Sequence, residues 1–242
     1  MILAAGRGQR MRPLTDATPK PLLAVGGKPL IVWQIERLAA AGWRDIVINT
    51  GWLGGRIAAA LGTGSAFGVR LRYSIEPPRA YETGGAIATA LPMLGPAPFL
   101  VVSGDIYTAF DYAALQRVAA RIEADPMDTV AHLVLTPNPD HNPDGDMALD
   151  SRGRIRREGA LLNFGNIGVF HPGLFGQQPR HEAWKLFPWM YRVVDAGRVS
   201  GELFDGVWHN IGTPEQLAAL DAQLARGAGS QTPAPAGTAS RS

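Results

Sequence analysis

Met1-Ile2-Leu3-Ala4-Ala5-Gly6-Arg7-Gly8-Gln9-Arg10-Met11-Arg12-Pro13 opens the chain, an apolar strand over residues 1–4 that runs directly into a glycine-rich, arginine-bearing turn. A strand that empties into such a turn exposes successive backbone N–H groups, and with nearby cations they cradle a polyphosphate. Glycine pairs after a buried strand also make tight turns that hold no ligand, so the turn alone leaves both readings open. The basic residues shift the balance. Arginine supplies nearly all the positive charge, and Lys20, Lys28 and Lys185 are the only lysines. A lysine between Pro19 and Pro21 puts a compact ammonium where this chain would otherwise place a planar guanidinium. Lys20 therefore reads as a phosphate ligand. Two standard phosphate loops drop out: a dinucleotide turn needs a small residue where Met11 stands, and no Gly-Lys-Ser/Thr follows at the Walker spacing.

The 242 residues suffice for one large α/β domain with a well-filled core. A net charge of +2 without a run of like charges suits a small anionic substrate better than a nucleic acid. The absence of cysteine excludes disulfides, a thiolate nucleophile and cysteine-ligated zinc. With no basic-then-apolar leader and no stretch long enough to span a bilayer, a cytoplasmic protein with no membrane partner is expected. Met1 already lies inside a central strand, so a native start a few codons upstream is also expected. The sequence carries no signal for an oligomeric state.

Strands and helices alternate through the first half, the pattern of a mainly parallel sheet covered on both faces. Helices are expected over 29–41, 52–61 and 83–91, with strands over 45–49, 69–75 and 98–103. Gly6, Glu76 and Asp105 then gather at the carboxyl ends of the strands, where open α/β sheets bind ligands. Strands over 129–135, 147–149, 154–157 and 163–170 read as a smaller antiparallel portion on the acceptor side. A helix over 182–196, a hairpin over 199–210 turning about Asp205-Gly206, and a helix over 214–224 capped by Thr213 follow. The domain is placed at 1–226, and 227–242 reads as a disordered low-complexity tail.

Asp105 follows the apolar run Phe99-Leu100-Val101-Val102-Ser103-Gly104, so its carboxylate emerges at the sheet edge beside the phosphate turn. An aspartate there can merely cap a turn. Opposite Arg10 and Lys20 it reads as a Mg²⁺ ligand, because a bare carboxylate would repel a triphosphate and a bridged one anchors it. Thr83 caps a helix start in Tyr81-Glu82-Thr83-Gly84-Gly85, whose glycine pair also lets a flat base lie against backbone.

These motifs together, with Pro13-Leu14-Thr15, Ser103-Gly104-Asp105 and Asn210-Ile211-Gly212-Thr213, resemble the sugar-1-phosphate nucleotidyltransferase family over residues 1 to about 224. Asn49-x-x-Trp52-Leu53-Gly54, Gly64-Ser65-x-Phe67-Gly68, Lys185-Leu186-x-Pro188 and Val199-Ser200-Gly201-Glu202 are similar to its N-acetylmuramate α-1-phosphate uridylyltransferase branch, which serves peptidoglycan recycling. The resemblance implies a Rossmann-like three-layer α/β/α fold. It implies attack by a sugar 1-phosphate oxygen on the α-phosphorus of a nucleoside triphosphate, here UTP, with pyrophosphate leaving. On matching positions, Arg10 and Lys20 would be catalytic and Asp105 and Asn210 would hold Mg²⁺. Ala4, Gly6, Gly8, Glu82, Thr83 and Gly84 would bind the nucleotide, and Gly145, Glu158, Asn166 and Lys185 the sugar phosphate. The chain departs from the family at Gln9, where threonine is usual, and at Asn210, where the muramate branch carries aspartate; an amide oxygen remains a hard ligand without charge. Rival readings are guanylyl transfer to mannose 1-phosphate, thymidylyl transfer to glucose 1-phosphate, and a sensing protein without turnover. His132 reads as a satisfied strand histidine, and no histidine is assigned catalysis.

Overall fold

The computed structural model of the chain describes residues 1–229. β1 (Ile2–Leu3) leads through the single turn α1 (Leu14–Ala17) and the ribbon β2 (Ala24–Val25) and β3 (Lys28–Pro29) to α2 (Leu30–Ala40). Then come β4 (Asp45–Thr50), α3 (Gly54–Leu61), β5 (Arg70–Ile75), α4 (Glu82–Leu94) and β6 (Phe99–Ser103). Next are β7 (Ile106–Thr108), α5 (Ala114–Ala124), β8 (Ala131–Thr136), β9 (Met147–Leu149), β10 (Ile155–Arg156) and β11 (Leu161–Phe170). The chain closes with α6 (Leu186–Trp189), α7 (Tyr191–Asp195), β12 (Val199–Leu203), β13 (Trp208–Asn210) and α8 (Pro214–Gly229).

β1 lies between parallel neighbours β4 and β6, and β5 continues the parallel set beyond β4. The long β11 runs antiparallel against β6 on one side and against β8 and β9 on the other, and β10 pairs with β9. Alternate residues of each central strand face opposite layers. Ile46, Ile48, Leu100 and Val102 pack with α2, α3 and α5, whereas Val47, Phe99 and Val101 pack with α4 and α7. This is the expected mixed, mainly parallel sheet between two helical layers. A third cluster joins Met11, Val25, Leu30, Tyr107, Ile211 and Leu220, tying the opening loop to α8.

Three expectations need correction. The chain over 199–210 is not a hairpin: β12 runs parallel to β8, and β13 pairs with β7 in a separate ribbon. Phe204 divides them, its N–H donating to Leu135 O at 2.8 Å while its ring meets Phe110 edge-on at 5.2 Å. The helix over 182–196 is broken, because Pro188 lacks an N–H and disfavours helical backbone at Phe187, which is extended (φ −109°, ψ 137°). The last helix runs to Gly229, past the expected tail boundary at 227; the remainder of that segment, 230–242, lies outside the described residues. Residues 106–128, assigned no element from sequence, contain β7 and α5, whose Leu115, Val118 and Ile122 recur at helical spacing and are buried.

Candidate active site

The opening loop is held by its own residues. Gly8 sits at φ +64°, and a Cβ there would come within 3.2 Å of Lys20 Cβ, so the residue serves both conformation and contact. Thr15 Oγ1 donates to Gly8 O at 2.8 Å. Met11 is fully buried in the third cluster, a burial worth about 2 kcal/mol, and anchors the one-turn helix that carries Arg10. Arg7 and Arg12 both bond Asp16 Oδ1 at 2.8 Å, and Arg7 also stacks over Trp52 at 3.9 Å. Arg10 has no ion-pair partner among the described residues, and a Cβ on Gly212 would come within 3.2 Å of its Nη2.

Lys20 and Asp105 meet across this loop, Nζ to Oδ2 at 2.5 Å, with the Lys20 side chain only 12% exposed. Asp105 is fixed from both sides: Gly104 N donates to Leu3 O at 2.8 Å, and the buried Gln34 amide donates to Ile106 O at 2.6 Å. Ile211 N donates to Asp105 O at 2.9 Å, and Asn210 stands opposite Ile106 in the β7–β13 ribbon. Asn210 Oδ1 is buried with no hydrogen-bond partner. Such an atom costs free energy unless something satisfies it. The following turn is locked by a reciprocal cap, in which Gln216 Oε1 accepts from Gly212 N at 2.7 Å and Thr213 N at 3.1 Å, while Thr213 Oγ1 accepts from Gln216 N at 3.3 Å. A cavity of about 290 Å³ results, lined by Ala4, Gly6, Gly8, Arg10, Lys20 and Asp105 among others.

Beside it lies a second cavity of about 230 Å³, lined by Glu82, Thr83, Asn166 and Lys185 together with apolar side chains, and Leu3 borders both. Glu82 (φ +59°) and Asn166 (φ +57°) are two of the four non-glycine residues with left-handed backbone among the described residues. Strain of this kind collects at functional sites. Asn166 owes its place to a register shift in β11 between Phe164 and Ile167, which Trp208 supports by donating from Nε1 to Gly165 O at 2.9 Å. A hydrogen-bond relay runs from Ala4 in the first cavity's wall to Tyr81, the neighbour of Glu82: Ala4 N donates to Asn49 Oδ1 (2.8 Å), Asn49 Nδ2 to Glu76 Oε1 (2.7 Å), and Tyr81 N to Glu76 Oε2 (2.7 Å). Burial pushes the Glu76 carboxyl above its ordinary pKa, against the lowering effect of those two hydrogen bonds.

Gly84 lines neither cavity. Its N–H donates to Trp184 O at 3.1 Å, and a Cβ there would fall 2.1 Å from the Trp184 ring. Gly145, at φ +70° against Leu161, and Glu158, in the turn before β11, also line neither. The structure thus brings together Ala4, Gly6, Gly8, Arg10, Lys20 and Asp105 in one group and Glu82, Thr83, Asn166 and Lys185 in another. Gly212 and the Phe164–Phe187 pair (5.8 Å, 72°) went unassigned from sequence. Gly212 was discoverable from its place in the Asn210–Thr213 motif; the phenylalanines carry no local signal. His132 stands apart, its ring nitrogens 2.9 Å from Ser200 Oγ and 3.1 Å from Glu202 Oε1, as a satisfied strand histidine should. Groups of three or more histidine, cysteine or acidic residues arranged to hold a metal are absent among the described residues, and none of their helices is long and apolar enough to cross a membrane.

A profile described as nucleotidyl transferase matches residues 1–158. An N-acetylmuramate alpha-1-phosphate uridylyltransferase of Neisseria meningitidis serogroup B is 48% identical over 94% of this chain and 98% of its own length. A protein of the same name from Caulobacter vibrioides is 35% identical, over 93% of this chain and 96% of its own. Among solved structures, a putative glucose-1-phosphate thymidylyltransferase from Bacillus anthracis superposes with a TM-score of 0.79 at 22% identity, covering 92% of this chain and 93% of the other.

Proposed function

Because this chain belongs to the nucleotidyl transferase family, we propose that it transfers the uridylyl group of UTP to N-acetylmuramate α-1-phosphate, releasing pyrophosphate and UDP-N-acetylmuramate. The two near full-length relatives of that name support the substrate pair. The observation that carries the reaction class is the contact of Lys20 with Asp105 at a glycine-rich loop, beside an Arg10 that has no ion-pair partner among the described residues.

In this reaction a sugar phosphate oxygen attacks the α-phosphorus, a new O–P bond forms, and the bond to the β-phosphate bridge breaks. No protein nucleophile is required, so the chain's task is alignment and charge neutralisation. Arg10 and Lys20 take up charge that builds on the phosphates, and the Gly6–Gly8 backbone follows the triphosphate. Asp105 and Asn210 would hold Mg²⁺, and the unsatisfied Asn210 Oδ1 fits that use. Two protein ligands suit an ion that keeps waters and binds substrate phosphates; bound there it would neutralise phosphate charge. Ala4, Gly6, Gly8, Glu82 and Thr83 serve the nucleoside, with Gly84 acting by seating Trp184. Asn166 and Lys185 serve the sugar, whereas Gly145 and Glu158, which line neither cavity, are left without a part in this reading.

A pyrophosphate-release matrix of UTP, GTP and dTTP against N-acetylmuramate, mannose and glucose 1-phosphates tests the reading. UTP with N-acetylmuramate 1-phosphate should be the fastest pair. A faster second pair would reassign the substrates, and silence of every pair with Mg²⁺ would leave a nucleotide-sugar sensor.

A further inference from the structure

We propose that Lys185 is a specificity residue that takes the lactyl carboxylate of the acceptor sugar, rather than its 1-phosphate. The proposal rests on the reading above that the acceptor is N-acetylmuramate 1-phosphate, and it refines the sequence expectation for Lys185.

The cations are partitioned between the two cavities. Arg10 and Lys20 line the first, where the phosphates must react, and Lys185 lines the second. Of the three lysines, Lys20 is paired with Asp105 and Lys28 with Glu36, whereas Lys185 has no ion-pair partner among the described residues. N-acetylmuramate α-1-phosphate carries two anionic groups on separate ring carbons, an axial phosphate at C1 and, through an equatorial lactyl ether, a carboxylate at C3, so the two leave the ring in different directions. A ring whose phosphate reaches toward Arg10 can therefore extend its lactyl arm into the adjoining second cavity, where Lys185 is the lining cation. The wall awaiting it is mixed: Val101, Phe164 and Phe187 offer apolar surface for methyl groups, and Asn166 and Ser103 offer amide and hydroxyl partners. Glu82 also lines this cavity and would repel a carboxylate, which favours binding of the acid at the Lys185 end.

The lysine's backbone is fixed even though its side chain is exposed. Trp184 N donates to Tyr81 O at 3.1 Å, and Trp184 O accepts from Gly84 and Gly85 N–H groups at 3.1 and 3.2 Å. On the other side Leu186 is 4% exposed in the core. The ammonium thus swings from a fixed point on a flexible stem, which suits capture of a carboxylate carried on a rotatable ether.

The test compares two acceptors differing only in the lactyl group. In wild type and Lys185→Met, kcat/KM is measured for N-acetylmuramate 1-phosphate with UTP, and N-acetylglucosamine 1-phosphate is assayed as a competing ligand for its Ki. The variant should lose about 10- to 100-fold in kcat/KM for the acidic sugar, the scale of one hydrogen bond to a charged group. The Ki of the neutral sugar should change less than two-fold, and Lys185→Arg should recover part of the loss. Equal weakening of both ligands would assign Lys185 to the phosphate and overturn the proposal, as would no change in either. A wild-type enzyme that ignores N-acetylmuramate 1-phosphate but uses another pair would instead overturn the substrate reading on which the proposal stands.

Discussion

Asp16 decides which arginine of the opening loop is left for a ligand. By binding Arg7 and Arg12 at once, it leaves Arg10 as the loop cation without an ion-pair partner among the described residues. Lys20 stands in a different state, already neutralised by Asp105. In its proposed role it exchanges that carboxylate for phosphate oxygens, so Lys20→Ala should lower kcat by roughly 10²–10³-fold, as loss of one charge-stabilising donor does. A two-fold change in steady-state kinetics would make Lys20 structural. Asn210→Ala should raise the Mg²⁺ concentration needed for half-maximal activity while Asn210→Asp keeps turnover; a metal titration in which the alanine variant matches wild type would remove Asn210 from the site. Glu76 offers a test by pH. Its folded pKa is raised, so the stability it contributes is complete below the unfolded carboxylate pKa and is lost as pH rises through the folded value. Carboxyl carbon NMR should find Glu76 titrating above the exposed glutamates. Titration among them would mean the relay to Asn49 is open to water.

At the scale of elements, the segment before α6 is the piece that local pattern could not place. Glu182 to Ala196 has helical composition, yet Trp184 spends its backbone groups on Tyr81, Gly84 and Gly85, and Pro188 ends any helix. A contact between residues a hundred positions apart leaves no trace in periodicity. The same applies to β12, whose turn residues Asp205-Gly206 suggest a hairpin although its partner is β8. By contrast, the loop from Gly6 to Lys20 and the strand leading to Asp105 were legible, because a glycine turn, an isolated lysine and an uninterrupted apolar run are short-range signals. Gly84 shows the limit between the two: its smallness was readable, but the reason for it, the Trp184 ring, was not. Gly84→Ala should cost about 1–3 kcal/mol from over-packing, seen as a lower urea midpoint, with altered tryptophan emission and a raised KM for the acceptor. An unchanged midpoint would show that the ring moves aside freely.

For the molecule as a whole, the mixed sheet was readable from the βαβ alternation of its first half, and the central strands lie as that alternation requires. The division of the ligand space into two cavities was not, since it depends on the β11 register shift and on Trp208 meeting Gly165. Because each cavity gathers residues far apart in the chain, from Leu3 to Gly212 in the first and from Leu3 to Phe187 in the second, ligand binding should be felt globally. UTP with Mg²⁺ at about 100 times its Kd should raise Tm by roughly 5–10 °C, more than UTP alone; a calorimetric scan without a shift would argue against nucleotide binding. Trp184 bonds the start of α4 at Gly84 and Gly85, and its chain neighbour Lys185 shares a cavity with Glu82 and Thr83. If the proposed function holds, a change at Lys185 that makes room for a bulkier sugar should also be felt at Glu82 and Thr83, so that donor and acceptor choice are engineered, or evolve, as a pair.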